Sequence, residues 1–226
     1  MTRLPRLPRL PRLFLMLAAA ITIVGVTIVG GIARADSGAP VSLEVGASSP
    51  HALVIRHQGW AESLLTGGIN WIPSATTADF AVIPAEEALA RRAAGEPLKA
   101  VYVVSREAGE YRLLVVREDV LRGRADLVAQ VVGLYERARK WLVAHPLEAA
   151  TLVAQAAGLG AAEARKLLAS RQFHVSRPGP ALAQSLKSAA DPSRAAHVDA
   201  LLDDGPMRAA SRALESGPKT LLLSQR

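Results

Sequence analysis

Short strand-like runs alternate with helix-like runs between residues 41 and 117, and this alternation limits the available folds more than any other feature. Residues 41–45 alternate apolar and polar side chains with the period of two expected of a half-buried strand. A helix-like segment follows at residues 52–65, and further strand-like runs occupy residues 69–72, 80–83, 99–104 and 111–116. This order predicts an α/β domain that has a mainly parallel sheet flanked by helices.

The spacing of apolar residues changes to that of helices from residue 124 onwards. Five apolar residues recur three or four positions apart along one helical face: Leu127, Val131, Leu134, Ala138 and Leu142. Pro146 predicts the start of a second helix, because proline fits the first helical turn, and residues 161–170 predict a third. We therefore expect a helical C-terminal half that packs on the sheet.

The first 35 residues have the composition of a secretory signal peptide. They contain five arginines and no acidic residue, and an uncharged apolar run leads to the small-x-small site Ala33-Arg34-Ala35. We predict a signal peptide at residues 1–35 and a single α/β domain at residues 36–226, exported to the periplasm. An uncleaved membrane anchor is the alternative, because an apolar run of about 20 residues spans a ~30 Å hydrocarbon core.

Charge and residue types outside this segment exclude several classes of function. Of 27 Lys and Arg residues, five lie in the first 35 positions, which leaves 22 basic against 20 acidic residues. A nearly neutral domain offers no large basic face, so we expect no nucleic-acid partner. The chain has no cysteine, its five histidines are scattered, and no serine-nucleophile or phosphate-loop motif occurs. We therefore expect no metal, no cofactor and no enzymatic activity.

Several features between residues 78 and 159 occur together in a known family. They are Asp79, the Gly95-Glu96-Pro97 joint, the strand at residues 113–117, Trp141 near the end of an Ala-rich helix, and the segment HPLEAA at residues 145–150. In this combination the chain resembles solute-binding proteins of the nitrate/sulfonate/taurine class of ABC importers. The segment SSPHA at residues 48–52 is also similar to that family's turn after a strand.

The resemblance implies a periplasmic-binding-protein-like lobe and a role as the solute-binding component of an ABC importer. The implied ligand is a small anion such as a sulfonate, nitrate or taurine, and the implied partner is an ABC permease or another membrane protein. Members of the family normally have two lobes with the ligand between them, whereas this chain is similar to one lobe. A homodimer would rebuild a two-sided cleft. The alternative is an exported one-lobe interaction or sensory protein that has lost transport ligand binding.

Ser48, Ser49 and His51 lie where the first predicted strand leads into the first helix, and they form the best candidate binding site. Unpaired N–H groups and the partial positive charge at the start of a helix favour an anion, while the hydroxyls and the imidazole add donors. These residues predict a cradle for a sulfonate, nitrate or carboxylate. The simpler interpretation is that Ser49 only caps the helix and His51 is an exposed residue of its first turn.

Asp79 and Glu86 are predicted to flank the exit of the third strand, where open α/β sheets bind ligands. Glu86 is placed to contact an amine or another hydrogen-bond donor of a ligand. The simpler interpretation is that this carboxylate, in the first turn of a helix, only complements the helix dipole.

The N-terminal pattern predicts that expression of the full gene yields an exported product whose first residue is Asp36. N-terminal sequencing of the exported fraction measures this directly. A membrane-bound product that still begins at Met1 or Thr2 would reject cleavage and support the anchor.

Overall fold

The computed structural model describes residues 38–46, 49–73, 75–173 and 177–216, and the predicted signal peptide at residues 1–35 lies outside these ranges. Within them, six strands form one sheet in the order β2-β1-β3-β5-β4-β6. The strands are β1 (Val41–Glu44), β2 (Ile69–Ile72), β3 (Phe80–Pro84), β4 (Leu98–Glu107), β5 (Glu110–Arg117) and β6 (Arg171–Gln172).

Helices fill most of the remaining described chain, and the predicted helical C-terminal half is confirmed. They are α1 (Pro50–His57), α2 (Trp60–Leu64), α3 (Ala85–Ala93), α4 (Glu118–Gly123), α5 (Ala125–Ala144), α6 (Pro146–Ala157), α7 (Ala161–Ala169), α8 (Pro180–Ala189), α9 (Pro192–Ala195), α10 (Val198–Leu201) and α11 (Gly205–Ser216). The single helix predicted at residues 52–65 is two helices, because Gly59 adopts a left-handed φ of 62° between them. Among the described residues, no helix combines the length and apolar character that a membrane span needs.

The α/β class is confirmed, and the sheet is mixed rather than mainly parallel. β1 pairs in parallel with β2 and β3, whereas the pairs β3–β5, β4–β5 and β4–β6 are antiparallel. The difference arises at the two-residue turn between β4 and β5, where Ala108 and Gly109 both have positive φ, 48° and 91°. Such a turn matches the twist of paired strands and closes a hairpin, so no crossover helix separates β4 from β5.

The central strands are buried on both sides, which explains why their sequences are almost continuously apolar. On β3, Phe80 and Val82 pack on one side of the sheet, and Ala81 and Ile83 pack on the other. We call these sides the first and the second face. α1, α5 and α11 cover the first face, and α3, α8 and α10 cover the second.

β1 and β3 pair through a single residue on each strand, and side-chain carboxylates supply further hydrogen bonds across this seam. Asp79 Oδ2 accepts hydrogen bonds from the Ser42 N–H at 2.9 Å and from the Ser42 hydroxyl at 2.8 Å, and the Asp79 N–H donates to that hydroxyl at 2.8 Å. On the other side of the pair, Oε2 of the buried Glu44 accepts from the Val82 N–H at 2.9 Å. At this seam, two carboxylates therefore supply the inter-strand hydrogen bonds that a longer backbone ladder supplies elsewhere in the sheet.

We expect Asp79→Ala to lower the free energy of unfolding by about 1–3 kcal/mol, because it leaves the Ser42 donors at the seam without their acceptor. Urea denaturation monitored by circular dichroism measures the change. Asp199→Ala is the matched control, since it removes a carboxylate paired with Lys187 on the surface and should change stability by less than about 1 kcal/mol. Equal effects of the two substitutions would show that the seam does not depend on Asp79.

Candidate ligand-binding site

The order in which the chain adds strands to the sheet reverses direction at β1. From β1 the chain passes through α1 and α2 to β2 on one side, and it then crosses to β3 on the other side. Open α/β sheets bind ligands at such a switch point, just outside the carboxyl ends of the strands. The residues that follow β1 therefore occupy the position at which this kind of sheet binds its ligand.

His51, in the first turn of α1, is fully buried although its ring carries two polar nitrogens. The ring stacks on Tyr135 of α5, with centroids 5.7 Å apart, and it meets Phe173 edge-on at 5.4 Å. Neither Nδ1 nor Nε2 has a hydrogen-bond partner within the part of the chain that the structure describes. A buried polar group without a partner costs about 1–3 kcal/mol. The imidazole is thus a buried hydrogen-bonding group held without a partner, at a position suited to a ligand.

Burial, followed by the positive charges of Arg139 and Arg171, lowers the pKa of His51 to about 3. The imidazole is therefore neutral at physiological pH, with one nitrogen that donates a hydrogen bond and one that accepts. The same two arginines create a positive potential at the ring, which favours an anion beside it.

A buried hydrogen-bond network holds Arg139 near the ring. Its Nε and Nη2 donate to the Glu136 carboxylate at 2.8 and 2.6 Å, and the Tyr102 hydroxyl donates to the same carboxylate at 3.0 Å. Burial acts to raise the pKa of Glu136, but the hydrogen bonds and charge of Arg139 outweigh it and hold that pKa below its ordinary value. Arg139 Nη1 also donates to the Phe173 carbonyl at 3.4 Å, so the network ties the guanidinium to a residue that covers His51.

Ser49 precedes α1 and confirms the predicted N-cap, because its hydroxyl accepts a hydrogen bond from the Ala52 N–H at 3.4 Å. It is fully buried and lies near Tyr135. Burial raises the pKa of Tyr135, whose hydroxyl, like both ring nitrogens of His51, has no hydrogen-bond partner among the described residues. Together, Ser49, His51, Tyr135, Arg139 and Phe173 form what we call the His51 site.

The structure brings together two of the five residues predicted to bind a ligand. Ser49 and His51 share the His51 site, whereas Ser48 lies outside the described residues. Asp79 and Glu86 do not flank one strand end, because Asp79 precedes β3 and Glu86 follows it in α3. The Asp79 carboxylate is engaged at the β1–β3 seam, and Glu86, whose side chain is 75% exposed, pairs with Arg194 at 2.8 Å. The simpler interpretation was wrong about His51, which is buried rather than exposed.

Sequence reasoning missed Tyr135, Arg139 and Phe173, the other members of the His51 site. In the sequence, Tyr135 is only one more large residue of the helix predicted from residue 124 onwards. The available signal was the pair Glu136 and Arg139, spaced three residues apart beside the apolar face of α5, a spacing at which opposite charges meet. Phe173 follows the two-residue strand β6, and its neighbours along the chain contain no pattern that points to His51.

Within the described ranges, no three histidine or acidic side chains converge in a way that could hold a metal ion. The chemistry of the His51 site is hydrogen bonding by neutral donors and acceptors within a positive potential. That chemistry suits reversible binding of a small polar molecule.

No protein-family model matches this sequence, and no curated protein matches it. Among solved structures, the fold is similar to that of the Candida albicans CA3427 gene product, which defines a family of proteins exhibiting the generic periplasmic binding protein structural fold. The TM-score is 0.59 at 9% identity, over 73% of this chain and 96% of that chain. The chain therefore has the periplasmic binding protein fold, and the predicted lobe is confirmed at the level of fold.

The pKa of His51 predicts a specific dependence of stability on pH. Because the folded pKa of about 3 lies below the ordinary value of 6.5, the unfolded chain takes up the proton first as the pH falls. Protonation of His51 therefore leaves the unfolding free energy unaffected above about pH 6.5 and lowers it as the pH falls towards 3, at up to about 1.4 kcal/mol per pH unit. We expect the unfolding free energy of the wild type to fall more steeply below pH 6.5 than that of His51→Phe.

Denaturant titrations at half-unit steps of pH measure both slopes. His57→Phe is the matched control, because His57 is an exposed residue of the same helix and its replacement should leave the wild-type slope unchanged. Parallel slopes for wild type and His51→Phe would show that His51 is not held neutral by the fold.

Proposed function

We propose that this chain is an exported solute-binding lobe that binds a small anion at the His51 site. The observation that carries the proposal is the fully buried, neutral His51 ring, whose two nitrogens lack partners among the described residues at the switch point of the sheet. A polar ring kept in this state lowers the stability of the empty protein, and a ligand that hydrogen-bonds to it recovers the loss.

The surroundings of the ring favour a particular kind of anion. The start of α1 contributes a partial positive charge. In the neutral ring of His51, the nitrogen that carries the hydrogen can donate to a ligand oxygen. Arg139 and Arg171 add positive potential, but each also interacts with a carboxylate, Glu136 and Glu107 respectively. The excess positive charge is therefore partial, which suits a singly charged sulfonate, nitrate or carboxylate better than a phosphate dianion.

The transport role is the remaining part of the proposal. The signal-like residues 1–35 and the resemblance to nitrate/sulfonate/taurine binding proteins support a periplasmic lobe that delivers its ligand to an ABC permease. The fold shared with the Candida albicans protein is consistent with small-ligand binding.

A second candidate function is that of a one-lobe interaction or sensory protein. It is favoured by two exposed apolar side chains next to each other, Val143 at 61% and Leu147 at 68% exposure. They line an apolar groove of about 240 Å³ between α5, α6 and α7, and Phe173 of the His51 site lines the same groove. In that case the groove contacts a protein partner and the His51 site binds no anion.

We expect nitrate, a short alkanesulfonate or a short carboxylate to bind the wild-type protein in calorimetry at neutral pH. Ligand at 100 times its dissociation constant should stabilise the fold by about 2.7 kcal/mol. In His51→Phe, affinity should fall at least about tenfold, while the unfolding free energy without ligand should rise by about 1 kcal/mol, because two unpaired polar atoms leave the core. If His51 had a purely structural role, His51→Phe would instead lower the unfolding free energy.

His57→Phe again serves as the control, with unchanged affinity and stability, and His51→Leu serves if the larger phenylalanine ring does not fit. No heat and no thermal shift with any of the three anions would end the transport proposal. That result would leave the interaction or sensory lobe as the better account.

A further inference from the structure

A groove lies on the second face of the sheet, the face opposite to His51. Its walls are α3, the segment from α8 to α9, and the tip of the β4–β5 hairpin, and its volume is about 470 Å³. This volume lies within the range of about 300–1,000 Å³ that is typical of small-molecule sites. We call it the hairpin groove, and neither the resemblance nor the periplasmic-binding-protein fold assigns a role to it.

The floor of the hairpin groove is apolar and one wall is aromatic. Ala85, Leu89 and Leu186 are buried residues of the second-face core that also line the groove. Tyr111 of β5 adds a half-buried ring, and Ala189 leaves room above the floor because its side chain is small. An apolar body of a few carbon atoms would therefore find a surface to pack against.

An ion-pair bridge closes one end of the groove. Arg194 of α9 pairs with Glu86 of α3 at 2.8 Å and with Asp191 at 3.2 Å, so its charge is compensated by two carboxylates. Glu110 lies at the tip of the hairpin, opposite Glu107 in the register. Glu110 also lines the groove at this tip, although side chains alternate along a strand and its carboxylate leaves β5 on the side away from Tyr111.

Arg106 is the basic side chain of the groove that remains available to a ligand. Its guanidinium lies over the Tyr111 ring, 5.1 Å from the centroid, and its Nε donates to the Gly109 carbonyl at 3.3 Å. Among the described residues, no carboxylate pairs with Arg106, and its two Nη groups make no hydrogen bond. A guanidinium fixed at Nε and on its face, with both Nη groups available, has the geometry that holds a carboxylate by two parallel hydrogen bonds.

We propose that the hairpin groove binds a small carboxylate with an apolar body. The carboxylate accepts hydrogen bonds from the Nη groups of Arg106, and the body packs on Tyr111, Leu89 and Leu186. This site is separate from the His51 site, because the two lie on opposite faces of the sheet.

Three probes with nearly the same body test the proposal: 3-phenylpropionate, 2-phenylethanol and phenethylammonium, each titrated into the full protein and followed by protein NMR. We expect the carboxylate to bind at least about fivefold more tightly than the ammonium, with the alcohol between them. Shifted resonances should include those of Tyr111 and Ala189. Equal affinities, or tightest binding of the ammonium, would overturn the proposal.

Four variants locate the binding. Arg106→Gln should remove the preference for the carboxylate, and Ala189→Phe, at an exposed position, should fill the groove and weaken all three probes. Arg122→Gln is the matched control, because Arg122 is an exposed arginine whose Nε likewise donates to a backbone carbonyl, and it should change nothing. His57→Phe, a substitution at an exposed histidine of α1, should also leave the carboxylate affinity unchanged. If Ala189→Phe binds the carboxylate as the wild type does, the groove is not the site.

Discussion

The seam between β1 and β3 is the contact on which the arrangement of this domain depends. Its backbone ladder has one residue pair, and the carboxylates of Asp79 and Glu44 hold the strands together on either side of that pair. Within the sheet that the structure describes, β2 pairs only with β1, so the seam also fixes β2. Because α1 and α2 connect β1 to β2, the seam positions the first turn of α1 against α5.

The seam and the His51 site handle buried polar groups in opposite ways. At the seam, the buried Glu44 and the partly buried Asp79 each accept hydrogen bonds from backbone or hydroxyl donors, as buried charges ordinarily do. At the His51 site, Arg139 pairs with Glu136, yet the His51 imidazole makes no hydrogen bond in the described structure. The structural carboxylates therefore have hydrogen-bond partners and the His51 ring does not. This locally unfavourable group lies at the switch point of the sheet, where open α/β sheets bind ligands.

Local patterns account for what could be predicted from the sequence. The α/β class and the long helix α5 follow from periodicity, and the Ser49 cap follows from Ser-Pro before an apolar run. The hairpin at Ala108 and Gly109 and the break at Gly59 depend on left-handed backbone conformations, which a pattern of apolar residues does not reveal. The burial of His51 depends on Tyr135 and Phe173, which lie far along the chain. Only the packing of α5 against α1 brings them together, and no local spacing records it.

The β4–β5 hairpin and the β1–β3 seam also differ in a way that predicts the order in which parts of the domain fold. β4 and β5 are joined by a two-residue turn, whereas the seam bonds connect residues 37 and 38 positions apart, across two helices and a strand. Closing a longer loop costs more chain entropy, so we expect the hairpin to form early and β1 to dock late. Segments that dock late and through few bonds are those that open first under native conditions. We therefore expect the region from β1 to β2 to open before the hairpin and α5 do. Such an opening gives solvent and solute access to an imidazole that the closed domain hides completely.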